Sequence, residues 1–194
     1  CRQTKAWQLQ GYPQLKVAVN LSARQFSDPE LLTLVRGALE SSALSPDDLE
    51  LELTESMLVE DSKQAAAVMA ELRGLGIHLS IDDFGIGYSS LSYLKRFPLH
   101  TLKIDQSFVR DLSVDSEDAA IIKAIIFMTK GLGLNVIAEG IETQQQQDFL
   151  LAHGCRWGQG DLFSAPIPAA DFLPWIDRHR TTFKGGWGGS DFVI

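Results

Sequence analysis

Cysteine is scarce: the 194 residues hold two, Cys1 and Cys155, with no second Cys and no His pair near either, which excludes a disulfide framework and a cysteine-rich zinc module. Cys155 reads as a small core residue rather than a nucleophile. Long apolar runs are missing as well. The stretch Ala119 to Met128 is broken by Lys123 and is far shorter than the ~20 residues of a bilayer span. No basic, apolar leader opens the chain, so a cytoplasmic location is expected, free or as the cytoplasmic part of a membrane-anchored protein. Positive charge is in the minority, 17 Lys and Arg against 25 Asp and Glu, giving a net charge of -8 that argues against binding polymeric nucleic acid. A small anionic ligand would need cations beside it. The four histidines show no paired zinc spacing, no Gly-x-Ser-x-Gly elbow occurs, and Gly131-Leu132-Gly133 marks a helix end rather than a dinucleotide fingerprint.

What is present is an alternation of short strands and helices in a chain of ordinary globular composition. Strands are expected at Lys16 to Asn20, Leu49 to Leu53, Ile77 to Ile81, Thr101 to Ile104 and Leu134 to Ala138, with a weak one near Cys155 to Gly158. Ser27, with Pro29 and Glu30 after it, predicts a capping box opening a helix with Leu31, Leu34, Val35, Ala38 and Leu39 on one face and a stop near Ser45-Pro46. Further helices are expected over Ser62 to Arg73, Ser90 to Phe97, from Ser116 to about Gly131, from Thr143 with Gln146 to Gly154, and after Pro168 with Phe172, Trp175 and Ile176 inward. Polar groups at nearly every strand end favour an α/β fold of TIM-like (β/α) barrel type over an open doubly wound sheet. Such a barrel takes about eight strands and ~250 residues. Six are read here, and Arg2 to Gln10 reads as the end of a helix, so the two missing strands are expected upstream. Residues 1–183 then form the domain, lacking its N-terminal strands, and the Gly-rich 184–194 an aperiodic tail.

The strand ends read Asn20, Glu52 with Glu55, Asp82 with Asp83, Lys103 with Asp105, Glu139 with Glu142, and Gln159. Carboxylates and an amide oxygen are the hard ligands that suit Mg²⁺ or Mn²⁺, and adjacent aspartates allow one carboxylate to bridge a metal pair. Two such ions suit in-line displacement at phosphorus. Lys103 could orient a water or offset phosphoryl charge; a plain salt bridge is the bland alternative. Taken singly, each acid could equally cap a helix or face solvent. The run Asp82-Asp83-Phe84-Gly85-Ile86-Gly87-Tyr88-Ser89-Ser90 is either a loop that closes over a ligand or a simple strand-to-helix turn capped by Ser90. Glu55 could hold that loop by accepting hydrogen bonds from its hydroxyls or amides.

Asn20-Leu21-Ser22, Glu52-Leu53-Thr54-Glu55-Ser56, Asp82-Asp83-Phe84-Gly85, Lys103-Ile104-Asp105, Glu139-Gly140-Ile141-Glu142 and Gln159-Gly160 together resemble the EAL-domain cyclic-di-GMP phosphodiesterases over roughly Trp7 to Ile176. The resemblance implies a bacterial signalling hydrolase that cuts cyclic di-GMP to linear pGpG with two Mg²⁺ or Mn²⁺ ions and is inhibited by Ca²⁺. It implies Asn20, Glu52 and Asp82 around one metal and Asp82, Asp83 and Glu139 around the other. Lys103 would position the hydrolytic water, Gln159 would complete the catalytic set, and Glu55 would anchor a loop that links dimerisation to metal binding. Asp105, Glu142, Phe163 and Pro166 would contact substrate. It further implies a homodimer attached to sensory or GGDEF-type domains.

Three departures stand beside the matches. The Glu-Ala-Leu tripeptide that names the family occurs nowhere in the chain, Asp161 stands where an aromatic is expected, and Ala165 precedes Pro166 where a basic residue is common. The alternatives are a catalytically inactive cyclic-di-GMP receptor, which would be expected to have lost carboxylates, and a different metal-dependent barrel hydrolase, which would explain the acids but not the full set of motifs. A chain lacking the first glutamate and two strands could also be inactive by itself.

Overall fold

Leucine alternates with glutamate along Leu49–Thr54, so one residue in two is apolar, yet the whole run is buried up to Leu53. A strand buried on both faces is the mark of a parallel sheet covered by crossover helices. The computed structural model describes residues 1–58, 62–87, 94–112 and 117–179, which form two compact units, one over Cys1–Thr101 and one starting at Leu102.

The first unit runs α1 (Arg2–Leu9), β1 (Val17–Asn20), α2 (Ala23–Phe26), α3 (Leu31–Ser42), a 3-10 turn Pro46–Asp48, β2 (Leu49–Thr54), a second 3-10 turn Glu55–Leu58, α4 (Ser62–Gly74) and β3 (His78–Phe84). The three strands are parallel and lie in sequence order, with Asn20 beside Glu52 and Thr54 beside Asp82. Leu51, Leu53, Leu79 and Ile81 supply the core, and α4 adds Ala65, Met69 and Leu72 at helical spacing against β3. Burying each of these large side chains stabilises the unit by roughly 1.5–3 kcal/mol before conformational entropy is counted.

The second unit takes in β4 (Thr101–Ile104) from Leu102, then α5 (Gln106–Arg110), α6 (Glu117–Leu132), β5 (Asn135–Ala138), α7 (Gln144–Ala152), β6 (Trp157–Gly158) and α8 (Ala169–His179). Here too the strands follow sequence order, β5 pairing parallel to β6 through Ile137 with Trp157 and Ala138 with Gly158. Ile122, Ile125 and Ile126 of α6, Leu150 of α7 and Phe172 and Ile176 of α8 are buried. Among the described residues no helix is long and apolar enough to cross a membrane.

Several expectations are corrected. The capping box belongs to Ser22 and Gln25, not to Ser27: Ser22 has the extended backbone an N-cap needs, whereas Ser27 has helical angles and closes α2. The helix that follows starts at Leu31 with no side-chain cap and stops at Ala43, which turns left-handed at φ 54, before Ser45-Pro46 is reached. Its buried stripe is Leu31, Val35, Leu39 and Ser42, while Leu34 is 61% exposed and Ala38 also faces solvent. Trp175 is half-buried rather than inward. Helix α5 and the two 3-10 turns were not foreseen, and β3 runs three residues past Ile81, carrying both aspartates. Tyr88 to Ser90 of the loop, the proposed helix start at Ser90, Ser116 and the tail 184–194 lie outside the described residues.

Candidate active site

In the first unit the polar residues stand where the parallel strands end. Asn20 closes β1 and is exposed; Glu52, its neighbour in register, is 6% exposed. The chain leaving β1 stays against β2, because the Leu21 amide donates to the Glu52 carbonyl at 2.9 Å. On β3, Asp83 sits at φ 55, a left-handed conformation that side-chain-bearing residues rarely adopt and that Asp tolerates better than most. The turn breaks the strand's alternation of faces. Carboxylate oxygens of Asp82 and Asp83 then lie within 4.8 Å of each other, and Asp82 Oδ1 accepts the Asp83 amide at 3.0 Å. A strained carboxylate residue beside a second carboxylate is the kind of feature that accumulates at functional sites.

Glu55 is buried in the turn after β2, and both of its oxygens face the loop that follows β3. Oε2 accepts the Gly85 amide at 3.1 Å, and a Cβ at Gly87 would fall 2.6 Å from Oε1, so any side chain there would have to displace the Glu55 carboxylate. Ile86 between them is exposed.

The second unit carries a tighter cluster. Lys103 of β4, 3% exposed, places Nζ 2.6 Å from Glu139 Oε1, and Gln159 Nε2 donates to the same oxygen at 2.8 Å. The backbone sets this up: the Glu139 amide donates to Ile104 O at 3.1 Å, and the Gln159 amide to Ala138 O at 2.9 Å. Asp105 is buried and caps α5, accepting the Ser107 amide at 2.9 Å and the Ser107 hydroxyl. Glu142 is exposed, its amide held by Gln146 Oε1 at 2.8 Å. Two motif glycines let these ends approach: Gly140 has φ 67 with Gln106 Cβ 2.6 Å from where a Cβ would stand, and at Gly160 a Cβ would meet the Ile141 backbone at 2.3 Å. Phe163 is half-buried just beyond, its amide bonded to Gly160 O, while Asp161, Ala165 and Pro166 are exposed.

The structure thus brings together Lys103, Glu139 and Gln159 in one unit, and pairs Asp82 with Asp83 and Glu55 with its loop in the other. Sequence reasoning missed Gln146, whose only signal was its place in the Thr143-x-x-Gln146 capping box, and did not see that Asp105 is a helix cap. Cys155 takes no part: it is buried, and burial pushes its thiol up to about 12, so it carries negligible thiolate. His78 and His100 stack on each other, ring centroids 4.4 Å apart, and His100 Nδ1 accepts the Leu79 amide.

Parallel strands with crossover helices and a row of acids, an amide and a lysine at the strand ends define an α/β domain with an oxygen-rich strand-end site. The family model described as EAL domain matches residues 1–166, and the chain belongs to that family. It is 46% identical over 173 residues to MucR of Pseudomonas aeruginosa, named a bifunctional diguanylate cyclase/cyclic di-GMP phosphodiesterase, covering 89% of this chain and 25% of that protein. It is 44% identical over 180 residues to the cyclic di-GMP phosphodiesterase NbdA of the same organism, covering 93% of this chain and 23% of NbdA. The chain therefore spans about a quarter of the length of these curated relatives. The solved MucR phosphodiesterase in complex with cyclic di-GMP superposes with a TM-score of 0.86 at 46% identity, covering 89% of this chain and 70% of that one. The manganese and cyclic-di-GMP complex of Klebsiella pneumoniae BlrP1 gives a TM-score of 0.76 at 34% identity over 84% of this chain and 42% of that one. These likenesses fix the fold as that of EAL domains, as the sequence led us to expect.

Proposed function

We propose that this chain hydrolyses cyclic di-GMP to linear pGpG in bacterial second-messenger signalling, using two divalent cations, Mg²⁺ or Mn²⁺. One observation carries the reading: a buried Lys103 ammonium 2.6 Å from Glu139, whose same oxygen receives the Gln159 amide, at the strand ends of an EAL-family chain. Relatives named as cyclic di-GMP phosphodiesterases support it, as does a relative solved with manganese and cyclic di-GMP. Asn20, Glu52 and Asp82 would hold one cation and Asp82, Asp83 and Glu139 the other. This all-oxygen donor set fits hard cations, and the closeness of the Asp82 and Asp83 oxygens fits a shared pair. Divalent cations bound there supply Lewis acidity at the phosphoryl oxygens and lower the pKa of a water.

Lys103 donates to the attacking water, orients it and offsets charge gathering on the phosphoryl group. The water oxygen joins phosphorus as the bond to the ribose 3′ oxygen breaks; the water's proton passes to that leaving oxygen, and the ring opens to pGpG. Gln159 fixes Glu139, Glu55 anchors the loop after β3, and Asp105, Glu142, Phe163 and Pro166 contact the ligand. In this reading the active form is a homodimer. The test is incubation of the purified protein with cyclic di-GMP and Mn²⁺, with products separated by chromatography. pGpG is expected, Glu52→Ala and Asp82→Ala are expected to abolish it, and Ca²⁺ to suppress it because its longer, looser coordination misplaces the water. Tight binding of cyclic di-GMP with no pGpG formed would overturn the reading and leave a receptor.

A further inference from the structure

We infer that Gln146 is a positioning residue for the Lys103–Glu139 pair, an inference that rests on the function proposed above. Gln146 is 6% exposed and sits in the first turn of α7. In an ordinary capping box its side chain would serve only the N-cap amide. Here Oε1 accepts two amides, those of Glu142 and Thr143, each at 2.8 Å, and Nε2 donates to two carbonyls, Val109 at 2.9 Å and Arg110 at 3.3 Å.

Those four backbone groups belong to two segments. Val109 and Arg110 are the last residues of α5, where the Val109 carbonyl also accepts the Asp111 and Leu112 amides. Helix α5 starts at its Asp105 cap, two residues after Lys103. Glu142 and Thr143 end the turn that starts at Glu139. The same turn lies directly on α5 at its other end, where Gly140 leaves room for Gln106. One buried amide therefore ties the segment leading from Lys103 to the segment leading from Glu139. Only Gln or Asn offers two donors and two acceptors for this task; ionised glutamate lacks the donors, and methionine offers no donor and only a weak sulfur acceptor. The distance between the Lys103 ammonium and the Glu139 carboxylate is held from both sides by this tie, and so is the direction in which Glu139 presents itself to a cation. Groups that orient a metal ligand in this way typically change affinity or activity by about 10- to 100-fold when altered.

The experiment compares Gln146→Met, Gln146→Glu and Thr143→Val with the unaltered protein by Mn²⁺ titration calorimetry, kcat and KM for cyclic di-GMP, and thermal melting. Thr143→Val removes the cap hydroxyl but leaves the tie to α5. Both Gln146 variants are expected to bind Mn²⁺ about tenfold more weakly and to lose about tenfold in kcat with KM within twofold, measured well below their melting temperatures. Thr143→Val is expected to melt lower with Mn²⁺ affinity and kcat unchanged. Folded Gln146 variants that bind and turn over like the unaltered protein would overturn the inference, as would a Thr143→Val loss equal to theirs. If the unaltered protein binds Mn²⁺ but makes no pGpG, the hydrolase reading fails and the affinity comparison alone decides the role of Gln146. If it neither binds nor cleaves, both fall, and that is seen before any variant is made.

Discussion

Replacing Lys103 with methionine keeps the stem and deletes an ammonium that is 3% exposed and 2.6 Å from a carboxylate oxygen of Glu139. Removing one partner of a buried pair costs about 3–5 kcal/mol, because the other charge stays buried without its counter-charge. The low end, about 3 kcal/mol, applies here because Gln159 still donates to the same oxygen. At about 2–4 °C per kcal/mol for a chain of this size, the metal-free protein should melt about 6–12 °C lower. Mn²⁺ should return much of that, since a cation bound to the native state adds about 2.7 kcal/mol at a hundredfold excess over Kd and gives Glu139 a new counter-charge. Turnover should not return with it: without the ammonium to orient water, kcat is expected to stay at least about 100-fold down at saturating Mn²⁺. Thermal melts in chelator and in Mn²⁺, alongside pGpG formation, check both halves. A metal-free melting temperature within about 2 °C of the unaltered protein, or turnover within tenfold of it, would refute the reasoning.

Asp105→Asn separates capping from ligand contact: asparagine caps as well as aspartate, so melting should not move, while loss of the charge should lower kcat/KM for cyclic di-GMP at least about tenfold. An Asp105→Asn protein with kcat/KM unchanged, beside an Asp105→Ala protein that melts lower, would show that the cap was all that mattered. The stacked His78 and His100 give a pH dependence far from this chemistry. Burial is the largest cause for both: at His78 it is joined by Lys16 and Arg73 against the opposing Asp47 and Asp48, and at His100, lowered to about 4, by repulsion from His78 and then Arg73 and Lys16 against Asp47. Because the unfolded chain takes up these protons near the ordinary 6.5 and the folded one does not, stability is full above that pH and is lost as it falls toward 4. Urea midpoints at pH 7.5 and 5 should differ less in His100→Gln than in the unaltered protein.

Strands were legible because buried parallel strands are short β-branched or leucine-rich runs, and each was found within a few residues of its place. Helix starts were less so, for a specific reason. Ser22-x-x-Gln25 and Ser27-x-x-Glu30 are the same local pattern, and the choice between them is made by the strand before it. β1 delivers Ser22 in extended backbone, whereas Ser27 arrives already helical. Leu34 was misplaced because five apolar residues fit a wide helical stripe, while α3 buries only the narrow line of Leu31, Val35 and Leu39. The left-handed turn at Asp83 has no sequence signature of its own; aspartate merely permits it.

At the strand ends, side-chain identity was readable and side-chain occupation was not. Glutamate, aspartate and lysine announce oxygen ligands and a cation, yet nothing in the string of letters says that Lys103 and Gln159 converge on one oxygen of Glu139, or that Asp105 is engaged by Ser107. Such partners depend on packing distances set by residues that carry no charge. Gly140 and Gly160 are examples: each is where it is because a neighbouring backbone or Cβ occupies the space a side chain would need, and that closeness brings β4, β5 and β6 ends into hydrogen-bond reach. Gln146 shows the same limit from the other side. Its four bonds to backbone groups are invisible in a sequence, where it is one of four consecutive glutamines, and only burial distinguishes the one that ties two segments together from its solvated neighbours.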